Sequence, residues 1–233
     1  AAIYLANHSL GRPPDRMAED VSRALESWYH DLDGAWQLWL EARQKFRGLT
    51  ATLVGAQGAD SIVPKTSAGQ GLRAVLNTYD APIRVLTTDA EFDSIDFILR
   101  VYRDRKRIEL ATVPARVEAL VAALKPRCEL VGVSSVLFRT GEIVPDLDKL
   151  IRRAHAAGAR VLIDTYHHAG VLPLDLASLD ADFAVGGCYK YLRGGPGACW
   201  LYVHPRQQKL ATLDIGWFAK KNAFQYERPD PAQ

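Results

Sequence analysis

Between residues 83 and 204 the chain alternates short apolar runs with longer amphipathic ones. Ile83 to Thr87, Ile108 to Thr112, Leu130 to Ser135, Val161 to Ile163 and Phe183 to Val185 are too short for buried helices and read as strands. Between them Glu91 to Tyr102, Pro114 to Leu124 and Asp146 to Ala157 carry apolar residues every three or four positions and read as helices, with Pro114 at the first position of the second. Such alternation predicts right-handed crossovers and a mostly parallel sheet covered by helices on both faces, a three-layer α/β/α fold. Upstream, Met17, Val21, Leu25 and Trp28 mark one helix, Asp33-Gly34 breaks it, and Trp36, Leu40 and Phe46 mark another. These two helices are expected to lie outside the sheet domain and to form part of a subunit contact, their tryptophans serving packing. Ile3 to Ala6 reads as a short extended piece, and Lys65 to Gly71 opens a helix running to about Asn77. The expected division is 1–50, an N-terminal loop and helices, and 51–233, the sheet domain.

A chain of 233 residues with 48% hydrophobic and 24% charged residues can bury one large core and reads as a soluble globular domain. Its formal charge of +2 favours neither nucleic acid nor an anionic membrane as partner. The longest apolar runs fall short of a membrane span, and the chain opens on AAIYLANHSLG without a secretory leader, so a cytoplasmic location is expected. Cys128, Cys188 and Cys199 have neither disulfide-framework nor zinc spacing, which points to a reducing compartment and to no metal site.

The candidate chemistry gathers at two strand ends. Val161 to Ile163 delivers Asp164, with His167 and His168 in the loop after it; Phe183 to Val185 leads through two glycines to Cys188, Tyr189 and Lys190. In an open parallel sheet, ligands bind outside the carboxyl ends of the strands. A lysine there, shielded from water, loses basicity and becomes a nucleophile or base. The plainer readings are an exposed lysine beside a turn and an aspartate that caps the following loop. Together, an acid and a lysine at consecutive strand ends suit a pyridine cofactor, the acid keeping the ring nitrogen protonated and the lysine carrying the imine. Thr66 and Ser67 stand at a helix start, where free N–H groups make an anion site, or they are simple caps. Phe92 either stacks on a planar ring or packs in the core.

These stretches, together with YLANHSLG, PKTSAGQGL, EFDSIDF and GWFAKKNAF, resemble the large domain of pyridoxal-phosphate enzymes of fold type I, aminotransferase class V, and within that class kynureninase. The resemblance implies pyridoxal 5'-phosphate as cofactor, with Lys190 as the imine-forming lysine and Asp164 as partner of the pyridine nitrogen. It places His167 near the phenolic oxygen, Thr66 and Ser67 at the phosphate, Phe92 on the ring, and Tyr189 at the phosphate with a part in proton transfer. Trp217 resembles a tryptophan bordering the phosphate or substrate region, and Asn7, His8 and Ser9 resemble a loop lining the substrate pocket. The chain departs from the pattern in reading Ala219-Lys220 after Gly216-Trp217-Phe218, and in an insertion before Asp96. The small C-terminal domain of such enzymes, with its substrate-carboxylate arginine, has no counterpart in the sequence.

The implied activity is hydrolysis of a carbon–carbon bond in a beta-acyl-alanine amino acid, for kynurenine giving anthranilate and alanine. The amine of Lys190, displaced by substrate, would take the alpha proton. A homodimer acting on a small amino acid, without nucleic acid or membrane, is implied with it. Another class V reaction (cysteine desulfuration, elimination or transamination) would use the same cofactor residues, and a non-catalytic scaffold would keep the fold without turnover.

Overall fold

The computed structural model describes residues 3–219, 222–226 and 228. The apolar runs form one seven-stranded sheet: β1 (Ile62–Lys65), β2 (Ile83–Thr88), β3 (Ile108–Val113), β4 (Cys128–Ser134), β5 (Arg160–Asp164), β6 (Phe183–Gly187) and β7 (Cys199–Val203). Their order is β1-β7-β6-β5-β4-β2-β3. Strands β2 to β6 pair in parallel, whereas β7 is antiparallel to both of its neighbours, β6 and β1. A parallel pair needs a crossover, and the amphipathic segments supply it. They are α3 (Ala68–Leu76), α4 (Asp93–Asp104), α5 (Val117–Ala123) and α6 (Leu147–Ala156), preceded by α1 (Arg16–Asp31) and α2 (Ala35–Leu53).

The pleat sends alternate residues of β5 into two different cores. Val161 and Ile163 join Leu150 and Ile151 of α6 and Leu120 of α5 on one face. Leu162 joins Leu72 of α3 and Leu99 of α4 on the other. A strand buried on both faces reads as a continuous apolar run, and this is the three-layer arrangement expected from the sequence.

One local expectation is corrected. The first position of α5 is Val117, with Arg116 as its cap, because Pro114 and Ala115 are spent on a tight turn closed by the Arg116 N–H on the Pro114 carbonyl at 2.7 Å. The end of α2 packs on the sheet: Ala51 and the following Val54 are buried in the same core as Ile62, and Arg47 Nε donates to the Ile62 carbonyl at 3.0 Å. One short helix was not foreseen, α7 (Leu176–Leu179), started by Asp175, whose carboxylate accepts from both the N–H and the hydroxyl of Ser178. By contrast α1 buries no residue, and its Val21, Leu25 and Trp28 stand exposed. Among the described residues no helix is long and apolar enough to cross a membrane.

Candidate active site

At the carboxyl ends of β5 and β6 the chain turns away from the sheet around a cavity of about 180 Å³. Its lining includes Thr66, Ser67, Phe92, Asp164, His167, Tyr189 and Lys190, seven of the residues picked out in the sequence. Lys190 is only 5% exposed, which removes the reading as a surface lysine. Burial lowers the pKa of its amine, with Asp164 opposing the shift. His167 Nε2 lies 2.6 Å from Lys190 Nζ. The imidazole pKa is depressed to about 4, first by burial and then by the charges of Lys190 and His8, so at neutral pH the ring is uncharged and can accept from the amine.

Asp164 is buried, and burial raises its pKa to about 6 against the opposing pull of the Tyr166 N–H and of Lys190. That N–H donates to Oδ1 at 2.9 Å. Among the described residues Oδ2 receives no hydrogen bond, which leaves one carboxylate oxygen for a donor in the cavity. Behind it stands Glu91, a buried carboxylate that the sequence reading took only as a helix start. Thr88 Oγ1 donates to its Oε1 at 2.6 Å, and Ser134 donates twice, from N to Oε1 at 3.2 Å and from Oγ to Oε2 at 2.6 Å. Ser134 is the register partner of Asp164 across β4 and β5, so the two acids share one corner of the sheet.

The anion-binding feature is the start of α3. Ser67 is its cap, with Oγ accepting from the Gln70 N–H at 3.1 Å, while the Gln70 side chain takes the Thr66 N–H at 2.9 Å. The N–H groups of Ala68 and Gly69 at the first two helical positions have no intrahelical acceptor. The start of α3 is thus capped and still leaves two N–H groups that could take an anion. Phe92 caps α4, stands edge-on to Phe138 at 5.2 Å, and has its ring centroid 5.2 Å from Lys190 Nζ.

The N-terminal loop straps the lysine loop from outside. The Gly11 N–H donates to the Tyr189 carbonyl at 2.7 Å and Arg193 Nε donates to the Arg12 carbonyl at 2.6 Å. Only glycine fits at position 11, because a Cβ would collide with the carbonyl oxygen of Lys190. Of the residues expected to line a substrate pocket, His8 acts electrostatically on His167, while Asn7 and Ser9 close the loop on itself. Asn7 Oδ1 accepts from the Arg12 N–H at 3.1 Å.

Residues 19–227 match the family model of aminotransferase class-V, most of the chain. The chain belongs to this family. Similar curated proteins are the kynureninase of Pseudomonas fluorescens, 30% identical over 97% of this chain and 57% of its own length, and that of Salinispora tropica, 31% identical over 97% and 58%. The chain thus spans a little over half the length of the curated relatives it matches. Among solved structures, a C-DES mutant with glycine covalently linked to its PLP cofactor superposes with a TM-score of 0.80 at 21% identity, covering 90% of this chain and 58% of that one. The apo cysteine desulfurase of Thermococcus onnurineus NA1 gives 0.74 at 19%, covering 88% and 54%. The fold is therefore that of the pyridoxal-phosphate fold type I large domain.

Four expected site residues, Asn7, His8, Ser9 and Trp217, are not among the residues lining this cavity. Trp217 packs among Trp36, Phe218, Phe224 and Tyr226, with its indole N–H on the Ala223 carbonyl at 2.8 Å, and does not line the cavity. Asp96 is on the outer side of α4, paired with Arg100 at 2.6 Å. His168 turns its Nε2 to the Pro173 carbonyl at 2.9 Å. Lys220 lies outside the described residues. Besides Glu91, the sequence reading left out Tyr166 and Ser94, which also line the cavity. A serine in the first turn after Phe92 could have signalled Ser94; Tyr166 looked like the first residue of a loop.

Proposed function

We propose that this chain is the cofactor-binding part of a pyridoxal 5'-phosphate enzyme that hydrolyses a carbon–carbon bond in a beta-acyl-alanine amino acid, as in the conversion of kynurenine to anthranilate and alanine. The observation that carries the reading is the buried Lys190 amine in one cavity with the buried Asp164 carboxylate. The residues present fit the cofactor: Asp164 has an oxygen to spare for a pyridinium N–H, and the start of α3 has N–H groups to spare for a phosphate. When bound, the pyridinium ring supplies an electron sink for the substrate's alpha carbon.

The chain's own groups do the rest. Lys190 would hold the cofactor, and its amine, made less basic by burial, would move the substrate's alpha proton. His167 accepts a hydrogen bond from the amine and orients it. Asp164 would keep the ring nitrogen protonated, Thr66 and Ser67 would hold the phosphate, and Tyr189 would contact the phosphate and assist proton transfer. In this reading residues 1–50 contribute pocket lining and a contact between two copies, in a cytoplasmic homodimer. The extent of likeness to kynureninases, nearly the whole chain at about 30% identity, supports the substrate class. A desulfurase would need an accessible reactive thiol; here Cys128 and Cys199 are buried, and burial pushes the Cys188 thiol up to about 11.

The test is the absorption spectrum of the complete protein with pyridoxal phosphate, before and after kynurenine is added, with anthranilate followed by its fluorescence. A visible band from lysine-bound cofactor together with anthranilate release is the expected result. A band without anthranilate would move the activity to another amino acid or bond, and no band would refute the enzyme reading.

A further inference from the structure

Two buried carboxyls meet at one corner of the sheet, and their surroundings differ. Asp164 looks into the cavity, where the Tyr166 N–H donates to Oδ1 and the charge of Lys190 acts on it. Both partners favour the carboxylate. Glu91 faces two hydroxyls and one N–H instead: Thr88 Oγ1 at the end of β2, and Ser134 Oγ and N at the end of β4. Among the described residues it forms no ion pair, and the charge that acts on it is that of Asp164. Both hydroxyls can rotate, so Glu91 keeps its hydrogen bonds either as a carboxylate or as an acid that donates to Ser134 Oγ. Ser134 and Asp164 are register partners in a parallel ladder, so their side chains leave the sheet on the same face, one strand spacing apart. Ser135 ties the two strands again, its N–H at 3.0 Å and its hydroxyl at 3.2 Å both donating to the Asp164 carbonyl.

Two like charges in one buried corner oppose each other, so the first goes to the acid with the better partners. We propose that Glu91 is a positioning residue that acts on the cofactor through Asp164, the two carboxyls forming a coupled pair in which Glu91 carries the proton and Asp164 the charge that would hold the pyridine nitrogen. The inference rests on the pyridoxal-phosphate reading. Burial raises both acids, Asp164 to about 6 and Glu91 to about 7, which agrees with that order of charging. Of the other groups around the pair, His167 is uncharged at neutral pH and burial pushes the phenols of Tyr166 and Tyr189 up, which leaves Lys190 as the cation that counts. Once pH passes about 7, a second negative charge stands behind Asp164 and strengthens the hold on a cationic ring. The alternative is that Glu91 only ties β2 to β4.

Borohydride reduction of the complete protein with pyridoxal phosphate, followed by peptide mapping, tests the underlying reading. Label on Lys190 supports it; absence of label overturns that reading and the coupled pair together. The coupling itself is read without cofactor, by carbon-13 NMR titration of protein labelled at its Asp and Glu carboxyls, with Glu91→Gln and Asp164→Asn assigning the two signals. Asp164→Asn removes the like charge, so the Glu91 midpoint is expected to fall by about half a unit or more, and Glu91→Gln should remove the upper step from the Asp164 curve. With pyridoxal phosphate, the Kd of Glu91→Gln divided by that of wild type is expected to be about 1 at pH 6 and to rise to about 3–10 by pH 8, because only the wild type gains the second charge. Comparing the ratio at two pH values cancels any constant loss from altered packing. A Glu91 midpoint unmoved by Asp164→Asn, or a Kd ratio that stays flat from pH 6 to 8, refutes the coupled pair while the Lys190 label stands.

Discussion

Glu91 offers a test of the electrostatics beneath the site that needs no cofactor. Burial, and to a lesser degree the charge of Asp164, raises its pKa from 4.5 to about 7, although the hydroxyls of Ser134 and Thr88 and the Ser134 N–H pull it down. Between those two values the folded protein binds more protons than the unfolded chain, so stability falls as pH rises. The contribution is fully present below pH 4.5 and is lost as pH passes through about 7. At about 1.4 kcal/mol per tenfold the full loss is about 3 kcal/mol. Glu91→Gln removes the titration, and the hydrogen bonds can survive it. The amide oxygen takes over the bonds from Thr88 Oγ1 and the Ser134 N–H, and the amide nitrogen donates to Ser134 Oγ, which rotates to accept. The variant is therefore expected to match or trail the wild type at pH 5 and to gain about 2–3 kcal/mol on it by pH 8. Urea unfolding of the cofactor-free protein at half-unit steps between pH 5 and 8 measures this. A stability difference that stays flat across the series would refute the argument that Glu91 charges inside the folded protein.

Two further outcomes follow from packing. Gly11→Ala drives a methyl group into the Lys190 carbonyl and is expected to destabilise by about 1–3 kcal/mol in urea unfolding and to slow borohydride trapping at Lys190; a silent substitution would mean that the N-terminal loop does not hold the lysine loop. Asp182, at the opposite end of β6 and 1% exposed, accepts from the Val161 N–H, Arg206 Nε and Gln207 Nε2 and pairs with His155, so Asp182→Ala is expected to lose about 3–5 kcal/mol while the folded fraction binds pyridoxal phosphate with wild-type Kd.

What could be read from the sequence is what the chain makes locally. Asp164 and Lys190 each end an apolar run, and the rule that ligands gather at the carboxyl ends of parallel strands joins them without any knowledge of contacts. Ser67 and Gln70 are three residues apart and Phe92 opens the next helix, so those positions were also within reach of local signals. The residues that were missed owe their place to partners far away in the chain. Glu91 is defined by Ser134, 43 positions on, and Tyr166 by Cys199, 33 positions on. Trp217 shows the same limit from the other side: its neighbours include Trp36 of α2, and the register of two distant segments decides whether its ring faces the cavity or that helix.

The same division bears on how the site keeps its shape. Both strands that carry the chemistry are buried on both faces, so their ends cannot shift without disturbing two cores at once. The groups that set the electrostatics are attached there by a few backbone and hydroxyl bonds: the Tyr166 N–H on Asp164, Ser134 at the end of β4 with Thr88 on Glu91, and Gly11 on the loop of Lys190. Substitutions within β5 or β6 should therefore register first as lost stability. Substitution at Glu91 should instead register in how stability depends on pH, and substitution at Gly11 in stability together with the accessibility of the Lys190 amine.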